Sequence, residues 1–447
     1  MTKYIIDGKY VYLPLHKLVM CFNQITLDDE VENILSSEWA GGLEKYDSKL
    51  IRKPNSNCTF ESLHPYNMGI LPTNECNLRC SYCYSETGEK PKQNLSESQI
   101  RHFINLLVKN AVLHSKVQNR RVESKLVISG GGEPTFQWDN FKYIVEYFSS
   151  TCSKHNVDRK IVLITNGVMS STNADYVIEN IDQINLSADG FPDIQNVQRP
   201  SVNGKGSFPY VDRFIRKCEE RGKELLVRAT VLYENFEKMS EICQYFFDHY
   251  TNITTLHFEP LFYVGRGGRL GNDHYKMLTQ FLDSYIKAYQ YVSSQHSDKH
   301  LHNSSFSYQL QEYFCSASLG LNPWLHMDGN ILPCTDHVSE PELVVAKVNE
   351  DGISINHSFQ KMIYNLDKCT ECFAYYHCGG GCPHNIEKDA AGNNLNPRAE
   401  AYCRMVADYW KRAIISIGQG KAFCDLRPVR IPAQEYENIF HAYRMEQ

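Results

Sequence analysis

The sequence lacks the features that would place the protein in a membrane or on a nucleic acid. No apolar run approaches the ~18 residues needed to cross a bilayer, and no apolar segment followed by a cleavage site stands near the N-terminus. The 447 residues carry a net charge of only -6. This balance supports neither a nucleic-acid partner nor a membrane-surface partner. Internal repeats and low-complexity segments are also absent, and we expect a cytoplasmic protein.

Cysteine, in contrast, is abundant. The chain holds 16 cysteines in an otherwise ordinary globular composition, 42% hydrophobic and 22% charged. In a long chain without a secretory signal, metal binding explains them better than a disulfide framework does. Ten of them fall in two motif regions, and we expect most of the others to be small buried hydrophobic residues. Those others are Cys21, Cys58, Cys152, Cys218, Cys243 and Cys424.

The first cysteine region is a short run in which Cys76, Cys80 and Cys83 follow the spacing CxxxCxxC. Complete ligation of a four-iron, four-sulfur cluster takes four cysteines, so three thiolates leave one iron open. An open iron offers a small molecule a place to chelate and to accept an electron. The spacing therefore suggests chemistry more than scaffolding.

From residue 67 to about residue 265, apolar β-branched runs alternate with amphipathic stretches. The predicted strands are Gly69–Pro72, Lys125–Ser129, Lys160–Thr165, Ile184–Ser187, Leu225–Leu232 and Leu256–Leu261. The predicted helices are Ser96–Ser115, Trp138–Lys154, Asn173–Asn180, Tyr210–Arg221 and Phe236–Tyr250. Such alternation indicates an α/β fold, a parallel sheet with right-handed crossovers that makes a partial barrel.

Polar motifs follow five of the six predicted strands, at the ends where sites of such folds lie. The cysteine run follows the first strand. The other motifs are Gly130–Pro134, Thr165–Gly167, Ser187–Gly190 and Glu259–Leu261. Because five polar motifs at five strand ends are hard to reach by chance, we expect them to form one site.

With these motifs in this order, residues 67–265 resemble the radical S-adenosylmethionine (SAM) superfamily. Gly131-Gly132-Glu133-Pro134 matches the family's GGEP motif, whose backbone and glutamate contact the methionyl amine of SAM. The resemblance implies a partial (β/α)6 radical SAM barrel, in which SAM chelates the open iron of a [4Fe-4S] cluster. It assigns to the cofactor site Tyr82, Gly131, Gly132, Glu133, Asn166, Ser187, Arg199 and Leu261.

The resemblance also gives these residues roles. Tyr82 and Leu261 match contacts to the adenine, and Ser187 and Arg199 match positions that bind the ribose or the carboxylate. From the residues alone, Tyr82 is open to a core role and Arg199 to a surface role. Asp189 is expected to be a structural turn residue.

The chemistry implied by the resemblance is radical chemistry. One electron, from a strong donor such as reduced flavodoxin or ferredoxin, enters the cluster and breaks the sulfonium S–C5′ bond of SAM. The products are methionine and a 5′-deoxyadenosyl radical, which abstracts hydrogen from an unactivated C–H bond.

The second cysteine region lies in the C-terminal third and resembles the seven-cysteine SPASM extension of radical SAM enzymes that modify peptides. Seven thiolates exceed one tetrahedral zinc site, although zinc stays the alternative for any CxxC pair. The resemblance implies two auxiliary [4Fe-4S] clusters, and so three clusters in all. Cys369, Cys372, Cys378 and Cys403 would complete one of them, and Cys315, Cys334 and Cys382 would hold the other.

The three-cysteine cluster has no fourth cysteine, because Leu321 stands where some relatives have one. Either another residue fills that position, or the iron is open to substrate. In related sulfatase-maturating enzymes, an aspartate directly follows the cysteine matched by Cys334 and acts as the base. Here Thr335 follows, and Asp336 is displaced by one position. We weigh Asp336 as a catalytic base against a plain surface or hydrogen-bonding role.

The leading hypothesis is a radical SAM and SPASM maturase that forms a C–S or C–C cross-link in a ribosomally made precursor peptide, or in a protein. The rivals are a sulfatase-type maturase that forms formylglycine and a non-catalytic iron–sulfur electron-transfer protein. A hairpin at Tyr4–Tyr12, a helix near Leu27–Ser37 and a helix at Tyr402–Ile417 are also expected. The expected divisions are 1–66 (a peptide-docking module or a packed extension), 67–265 (the barrel), 266–310 (linker and helix), 311–410 (the SPASM domain) and 411–447 (helix and tail).

Overall fold

The computed structural model divides into two compact units, which are described separately. One unit comprises residues 1–55, 304–315 and 363–447, and the other comprises residues 56–303 and 316–362. The residues that the structure describes are 4–7, 10–14, 18–21, 60, 64–261, 265–270, 277–306, 314–315, 317, 322–335, 343–356, 369, 371–382 and 397–419. The expected helix near Leu27–Ser37 lies outside these ranges.

The larger unit is built on an eleven-stranded sheet with the order β10-β9-β8-β7-β6-β5-β4-β11-β12-β13-β14. Every neighbouring pair from β10 to β11 is parallel, and the last strands are antiparallel. The strands are β4 (Asn67–Ile70), β5 (Glu123–Ile128), β6 (Asp158–Thr165), β7 (Gln183–Ser187), β8 (Leu225–Val231), β9 (Ile253–Pro260), β10 (His300–His302), β11 (Trp324–Leu325), β12 (Asn330–Leu332), β13 (Ala346–Val348) and β14 (Ile353–Ile355).

Helices connect the parallel strands, as the alternating pattern predicts. They are α1 (Glu97–Gln118), α2 (Trp138–Lys154), α3 (Ser171–Asn180), α4 (Pro192–Gln198), α5 (Phe208–Glu220), α6 (Met239–His249) and α7 (Leu278–Gln295). Helix α1 shows why the prediction works. Ser96 caps its first turn in a reciprocal capping box with Gln99, and its apolar face buries Ile100, Phe103 and Leu107.

The six predicted strands and five predicted helices of this unit are confirmed, with ends that differ by a few residues. Six of its described α-helices and strands were not predicted: the short helix α4, strand β10 beside β9, and strands β11, β12, β13 and β14 beyond β4. Strands of two or three residues are too short to show a two-residue periodicity. The segment 266–310, expected to hold a linker and a helix, holds helix α7 and also the short strand β10.

The smaller unit joins an N-terminal sheet to a C-terminal helix. Strands β1 (Tyr4–Ile6), β2 (Tyr10–Leu13) and β3 (Leu18–Cys21) form an antiparallel sheet, and the expected hairpin is confirmed. Helix α8 (Tyr375–Cys378) is short, and helix α9 (Pro397–Gly418) contains the predicted helix and ends at Gly418. Ile6, Tyr12 and Ile414 form a buried cluster that packs the sheet on helix α9.

The scattered cysteines test the prediction that they are buried hydrophobic residues. Cys152, Cys218 and Cys243 are at most 1% exposed and carry free thiols, as expected. Cys58, Cys424 and the side chain of Cys21 lie outside the described part of the chain. Among the described helices, none is both long enough and apolar enough to cross a membrane.

Candidate active site

The predicted cysteine run leaves strand β4 and forms a loop over the C-terminal edge of the sheet. Its backbone is fixed by hydrogen bonds to the segment after helix α4. The Arg79 amide donates to the Pro200 carbonyl at 2.7 Å, and the Ser81 amide donates to the Gln198 carbonyl at 2.9 Å. Two distant stretches of sequence are thereby brought together around the thiols, and we call residues 76–83 the cysteine loop.

The glycine motif after strand β5 lies against the residues that lead into the cysteine loop. The Gly132 amide donates to the Thr73 carbonyl at 2.9 Å, and the Glu133 amide donates to the Glu75 carbonyl at 2.8 Å. A Cβ atom on Gly132 would stand 2.0 Å from the Glu75 carbonyl oxygen, which is backbone and cannot yield. Glycine is therefore required here for the close approach of two backbones.

Glu133 is a buried carboxylate that ties neighbouring strand ends together. Its Oε1 accepts the Thr135 hydroxyl at 2.8 Å and the Thr165 hydroxyl at 2.7 Å, and its Oε2 accepts the Asn166 amide at 2.7 Å. Burial raises the pKa of Glu133, and these hydrogen bonds oppose that rise. The carboxylate thus fixes the end of β6 to the glycine motif after β5.

The three thiols have the surroundings expected of cluster ligands. The Leu78 amide donates to the Cys76 sulfur at 3.4 Å, and the Cys83 sulfur lies 3.4 Å from the Ser85 hydroxyl. Hydrogen bonds of this kind to thiolate sulfur tune the reduction potential of iron–sulfur clusters. Asn166 also points its amide nitrogen at the Cys76 sulfur, at 3.8 Å.

The thiols differ in acidity. Burial raises the pKa of Cys76 to about 12 and the pKa of Cys80 to about 11. At Cys83 burial acts in the same direction, but hydrogen bonds from Ser85 and Thr87 outweigh it and lower the pKa. A bound metal deprotonates coordinating thiols outright, so these values describe the metal-free loop.

A four-iron cluster spreads its thiolates over separate irons. Within the described ranges, no three His, Cys, Asp or Glu side chains are grouped so as to hold a single metal ion. The donor set of Cys76, Cys80 and Cys83, with amide and hydroxyl groups directed at sulfur, fits a three-thiolate [4Fe-4S] cluster.

A buried ionic network joins the cysteine loop to the end of strand β7. Asp189 is 1% exposed; its Oδ2 accepts the Tyr82 hydroxyl at 2.5 Å and stands 3.0 Å from Nε of Arg199. Gln198 donates to the same oxygen at 2.8 Å, and the Thr230 amide donates to Oδ1 at 3.0 Å. The Arg199 guanidinium also lies over the Tyr82 ring, 5.2 Å from its centroid.

This network corrects the expectation that Asp189 is only a turn residue. Asp189 neutralises Arg199 and fixes Tyr82, two side chains assigned to the cofactor by resemblance. The surface alternative for Arg199 is excluded, because the residue is only 9% exposed. A signal was present in the sequence: a charged residue at a buried strand end needs a charged partner, and Arg199 follows ten positions later.

An apolar patch lies beside the thiols. Tyr82, Leu232 and Leu261 form a buried cluster, and Cys80 packs against it. The Leu261 amide donates to the Val231 carbonyl at 3.1 Å, which fixes the ends of β8 and β9 together. The two residues predicted to contact adenine, Tyr82 and Leu261, are thus brought into contact by the fold.

The remaining predicted cofactor residues lie on the same edge of the sheet. Asn166 donates to the Asn77 side-chain oxygen at 2.8 Å and so supports the cysteine loop. Ser187 is the last residue of β7, is half-buried, and pairs in register with Arg228 of β8. Gly131 is covered by Met327, whose methyl carbon would stand 2.2 Å from an added Cβ. Sequence reasoning did not single out Met327.

In the smaller unit, the structure brings four of the predicted auxiliary ligands together. Burial raises the pKa of Cys378, and the nearby Cys403, Cys369 and Cys372 thiols raise it further. Helix α8 ends at Cys378, where Gly379 adopts the left-handed φ of 61° that ends the helix. Cys315 and Cys382 belong to this unit and Cys334 to the larger one. Asp336 and Leu321 lie outside the described residues.

Comparisons with known proteins agree with this site. The profile of the radical SAM superfamily matches residues 70–246. A cysteine-type anaerobic sulfatase-maturating enzyme of Clostridium perfringens is 24% identical over 383 residues, which cover 78% of this chain and 96% of that protein. The fold and site described above therefore agree with a radical SAM domain over residues 70–246.

Solved structures give the same fold. The structure titled anSMEcpe with bound AdoMet has a TM-score of 0.60 at 19% identity, covering 80% of this chain and 99% of that one. Streptococcus suis SuiB bound to precursor peptide SuiA has a TM-score of 0.53 at 15% identity, covering 89% of this chain and 100% of that one. Both likenesses show the fold. Residues 70–246 thus form the radical SAM domain of an enzyme, and this family implies SAM and a [4Fe-4S] cluster.

Proposed function

We propose that the enzyme matures a peptide or protein by oxidative formation of a C–S or C–C cross-link, most specifically in a ribosomally made precursor peptide. The observation that carries the proposal is the second cysteine region, in which Thr335 rather than an aspartate follows Cys334. That departs from the sulfatase-maturase pattern while keeping the seven cysteines of peptide-modifying relatives. SuiB, which is similar in fold over 89% of the chain, binds the precursor peptide SuiA, and this supports a precursor peptide as the substrate.

When bound, the reduced cluster and SAM supply a 5′-deoxyadenosyl radical that removes a hydrogen atom from an unactivated carbon. The protein's own residues would bind SAM and the substrate and orient them relative to each other. The glycine motif presents backbone polar groups beside the cysteine loop. Tyr82 and Leu261 close an apolar wall that excludes water. Asp189 holds Tyr82 and Arg199 in place, so that the guanidinium remains available to an anionic group of SAM.

Two auxiliary clusters are part of the proposal. Cys369, Cys372, Cys378 and Cys403, which lie together in the smaller unit, would complete one cluster. Cys315, Cys334 and Cys382 would hold a second with three protein thiolates. A substrate cysteine thiolate is a suitable ligand for the remaining position, which would favour C–S bonds. Reduced flavodoxin or ferredoxin is the proposed electron donor.

Formylglycine formation is the second candidate, and one observation favours it. The sulfatase-maturating relative aligns over 96% of its own length. The base of that reaction would be Asp336, displaced by one position from the family pattern.

The product of the reaction separates the two candidates. We would reconstitute the enzyme, reduce its clusters, and incubate it anaerobically with SAM and a cysteine-containing precursor peptide. Tandem mass spectrometry would then identify the peptide product. Cross-linking predicts the loss of one hydrogen pair per bond and the loss of fragment ions within the closed ring. Formylglycine formation predicts a linear peptide with an aldehyde that reacts with a hydrazine probe. An aldehyde product would overturn the cross-linking proposal.

A further inference from the structure

A row of basic side chains crosses three neighbouring strands of the parallel sheet beside the predicted cofactor residue Ser187. Arg228 of β8 pairs in register with His257 of β9, and His257 pairs with His302 of β10. On the other side, Arg228 pairs with Ser187. We call Arg228, His257 and His302 the basic row. Neighbouring strands are about 4.8 Å apart, so these side chains on one face lie within reach of one small ligand.

The basic row faces away from the helix-covered side of the sheet. In strand β8 the residues Val227 and Ala229 are fully buried, whereas Arg228 between them is exposed. Since successive side chains of a strand point to opposite faces, the row belongs to the face that carries Ser187. Arg228 comes two residues before Thr230, whose amide holds Asp189. The basic row therefore lies further from the C-terminal ends of the strands than the Asp189 network does.

The guanidinium of Arg228 has no hydrogen bond or ion pair with any residue that the structure describes, and only the Arg228 backbone is engaged, as acceptor of the Ala188 amide at 3.1 Å. A carboxylate near the row, that of Glu259, is 3% exposed and engaged elsewhere. Its Oε1 lies 2.6 Å from Nε2 of His257, and its Oε2 accepts the Asn303 amide at 3.3 Å. Glu259 is thus held by His257 and Asn303, and it makes no ion pair with Arg228.

His302 completes the row as a ring that stands 4.6 Å from the ring of His257 in an edge-on arrangement. The surrounding protein lowers its pKa to about 4 by burial, and His257 adds to this effect. At neutral pH His302 is therefore an uncharged imidazole, which can donate one N–H bond. The row offers one full positive charge and further N–H donors on a face open to ligand.

We infer that the basic row is a carboxylate-binding subsite for the peptide substrate, occupied by an acidic side chain or by the free C-terminus. A guanidinium matches a carboxylate with two parallel hydrogen bonds, and such charge-assisted bonds are the strong ones. The resemblance assigns Ser187 and Arg199 to the ribose or the carboxylate of SAM and gives Arg228 no cofactor role, which leaves Arg228 to a second anion. The inference rests on the proposed function, because it names the chemistry of the same substrate.

Peptide binding to the anaerobic holoenzyme with SAM tests the inference. The probes are fluorescent cysteine-containing peptides in matched forms: glutamate or glutamine at each position, and a free or amidated C-terminus. One of the acidic peptides should bind to the wild type about 10- to 100-fold more tightly than its neutral counterpart. This is the change in affinity expected when a charged hydrogen bond is lost. Arg228→Gln should remove that preference, and Arg228→Lys should retain part of it.

The matched control is Arg121→Gln, an exposed arginine paired with Asp158 at the opposite end of the strands. It should leave the preference intact. Equal affinity of wild type for all matched forms would overturn the inference while peptide binding itself still supports the proposed function. A loss of SAM affinity in Arg228→Gln, without a change in peptide preference, would instead assign the row to the cofactor. If no peptide bound the wild type, the proposed function would itself fail.

Discussion

The hydroxyl of Tyr82 donates a hydrogen bond of 2.5 Å to Oδ2 of Asp189, and this contact joins the cysteine loop to the end of strand β7. The same oxygen faces Arg199 at 3.0 Å. One buried carboxylate therefore fixes an aromatic ring and a guanidinium beside the thiols. Because the resemblance assigns both partners to the cofactor, we propose that Asp189 links the fold of the sheet to SAM binding.

Asp189→Asn should weaken SAM binding while leaving the cluster in place. The amide keeps the shape of the carboxylate but removes its charge, so Arg199 loses its buried counter-ion. We expect SAM affinity to fall about 10- to 100-fold, with the iron content unchanged. Equilibrium binding of SAM to the reconstituted enzyme measures the effect. Asp193→Asn, an exposed change in the same segment, is the control and should bind SAM as the wild type does.

Gly132→Ala should disrupt the site by forcing two backbones apart. The added Cβ would stand 2.0 Å from the Glu75 carbonyl oxygen, and only a shift of the glycine motif or of the cysteine loop relieves it. We expect slower SAM cleavage and a lower iron content of the SAM-binding cluster. Mössbauer spectroscopy and iron analysis measure the iron content. Gly204→Asn is the control. Asn tolerates the left-handed φ of this position, and an added Cβ there would have no heavy atom of a non-neighbouring residue within 4 Å. Equal losses in both variants would argue against this mechanism.

The cysteines should separate into ligands and packing residues. Alanine at Cys76, Cys80 or Cys83 should abolish SAM cleavage, because two thiolates cannot hold the cluster. Cys243→Ala should leave iron and activity unchanged but lower the free energy of unfolding by about 1–2 kcal/mol, since it empties a fully buried site. Denaturant unfolding and 5′-deoxyadenosine formation measure the two effects. Loss of iron in Cys243→Ala would contradict the assignment.

The stability of the larger unit should fall as the pH drops through the range set by His302. The pKa of His302 is lowered from 6.5 to about 4 by burial, by His257 and by Arg228, against the attraction of Glu259. Between these values the unfolded chain binds a proton that the folded chain does not, so folding loses stability as the pH falls. His302→Gln should reduce this slope.

Unfolding measured at several pH values between 4 and 7 gives the slope for each variant. His155→Gln, at an exposed position after helix α2, provides a matched comparison. An unchanged slope in His302→Gln would mean that other groups govern the pH dependence.

Much of the barrel could be predicted because its elements carry complete local signals. Helix α2 was predicted at its observed bounds, and Ser96 was placed at the start of α1, where it caps the helix. Strand β10 could not be predicted because three residues are too few to show a periodic pattern. The proposed ligand positions of the cysteine loop could be singled out because the motif depends on spacing alone.

The basic row shows what spacing alone could not provide. From the pair Leu225 and Ile253, regular counting would set Arg228 beside Leu256. An irregularity after Leu225 shifts the register by one residue, so that His257 stands beside Arg228 instead. A single extra residue therefore exchanges an apolar neighbour for a histidine. The network of Asp189 was missed for a related reason, since its partners come from three separate segments.

The central claim is that this protein cleaves SAM reductively and couples that cleavage to a peptide. The most direct test is anaerobic reconstitution, reduction with dithionite, addition of SAM and quantification of 5′-deoxyadenosine by mass spectrometry, with and without a precursor peptide. The account predicts 5′-deoxyadenosine that increases with the peptide. No 5′-deoxyadenosine from protein that holds about twelve irons per chain, the content of three four-iron clusters, would contradict it.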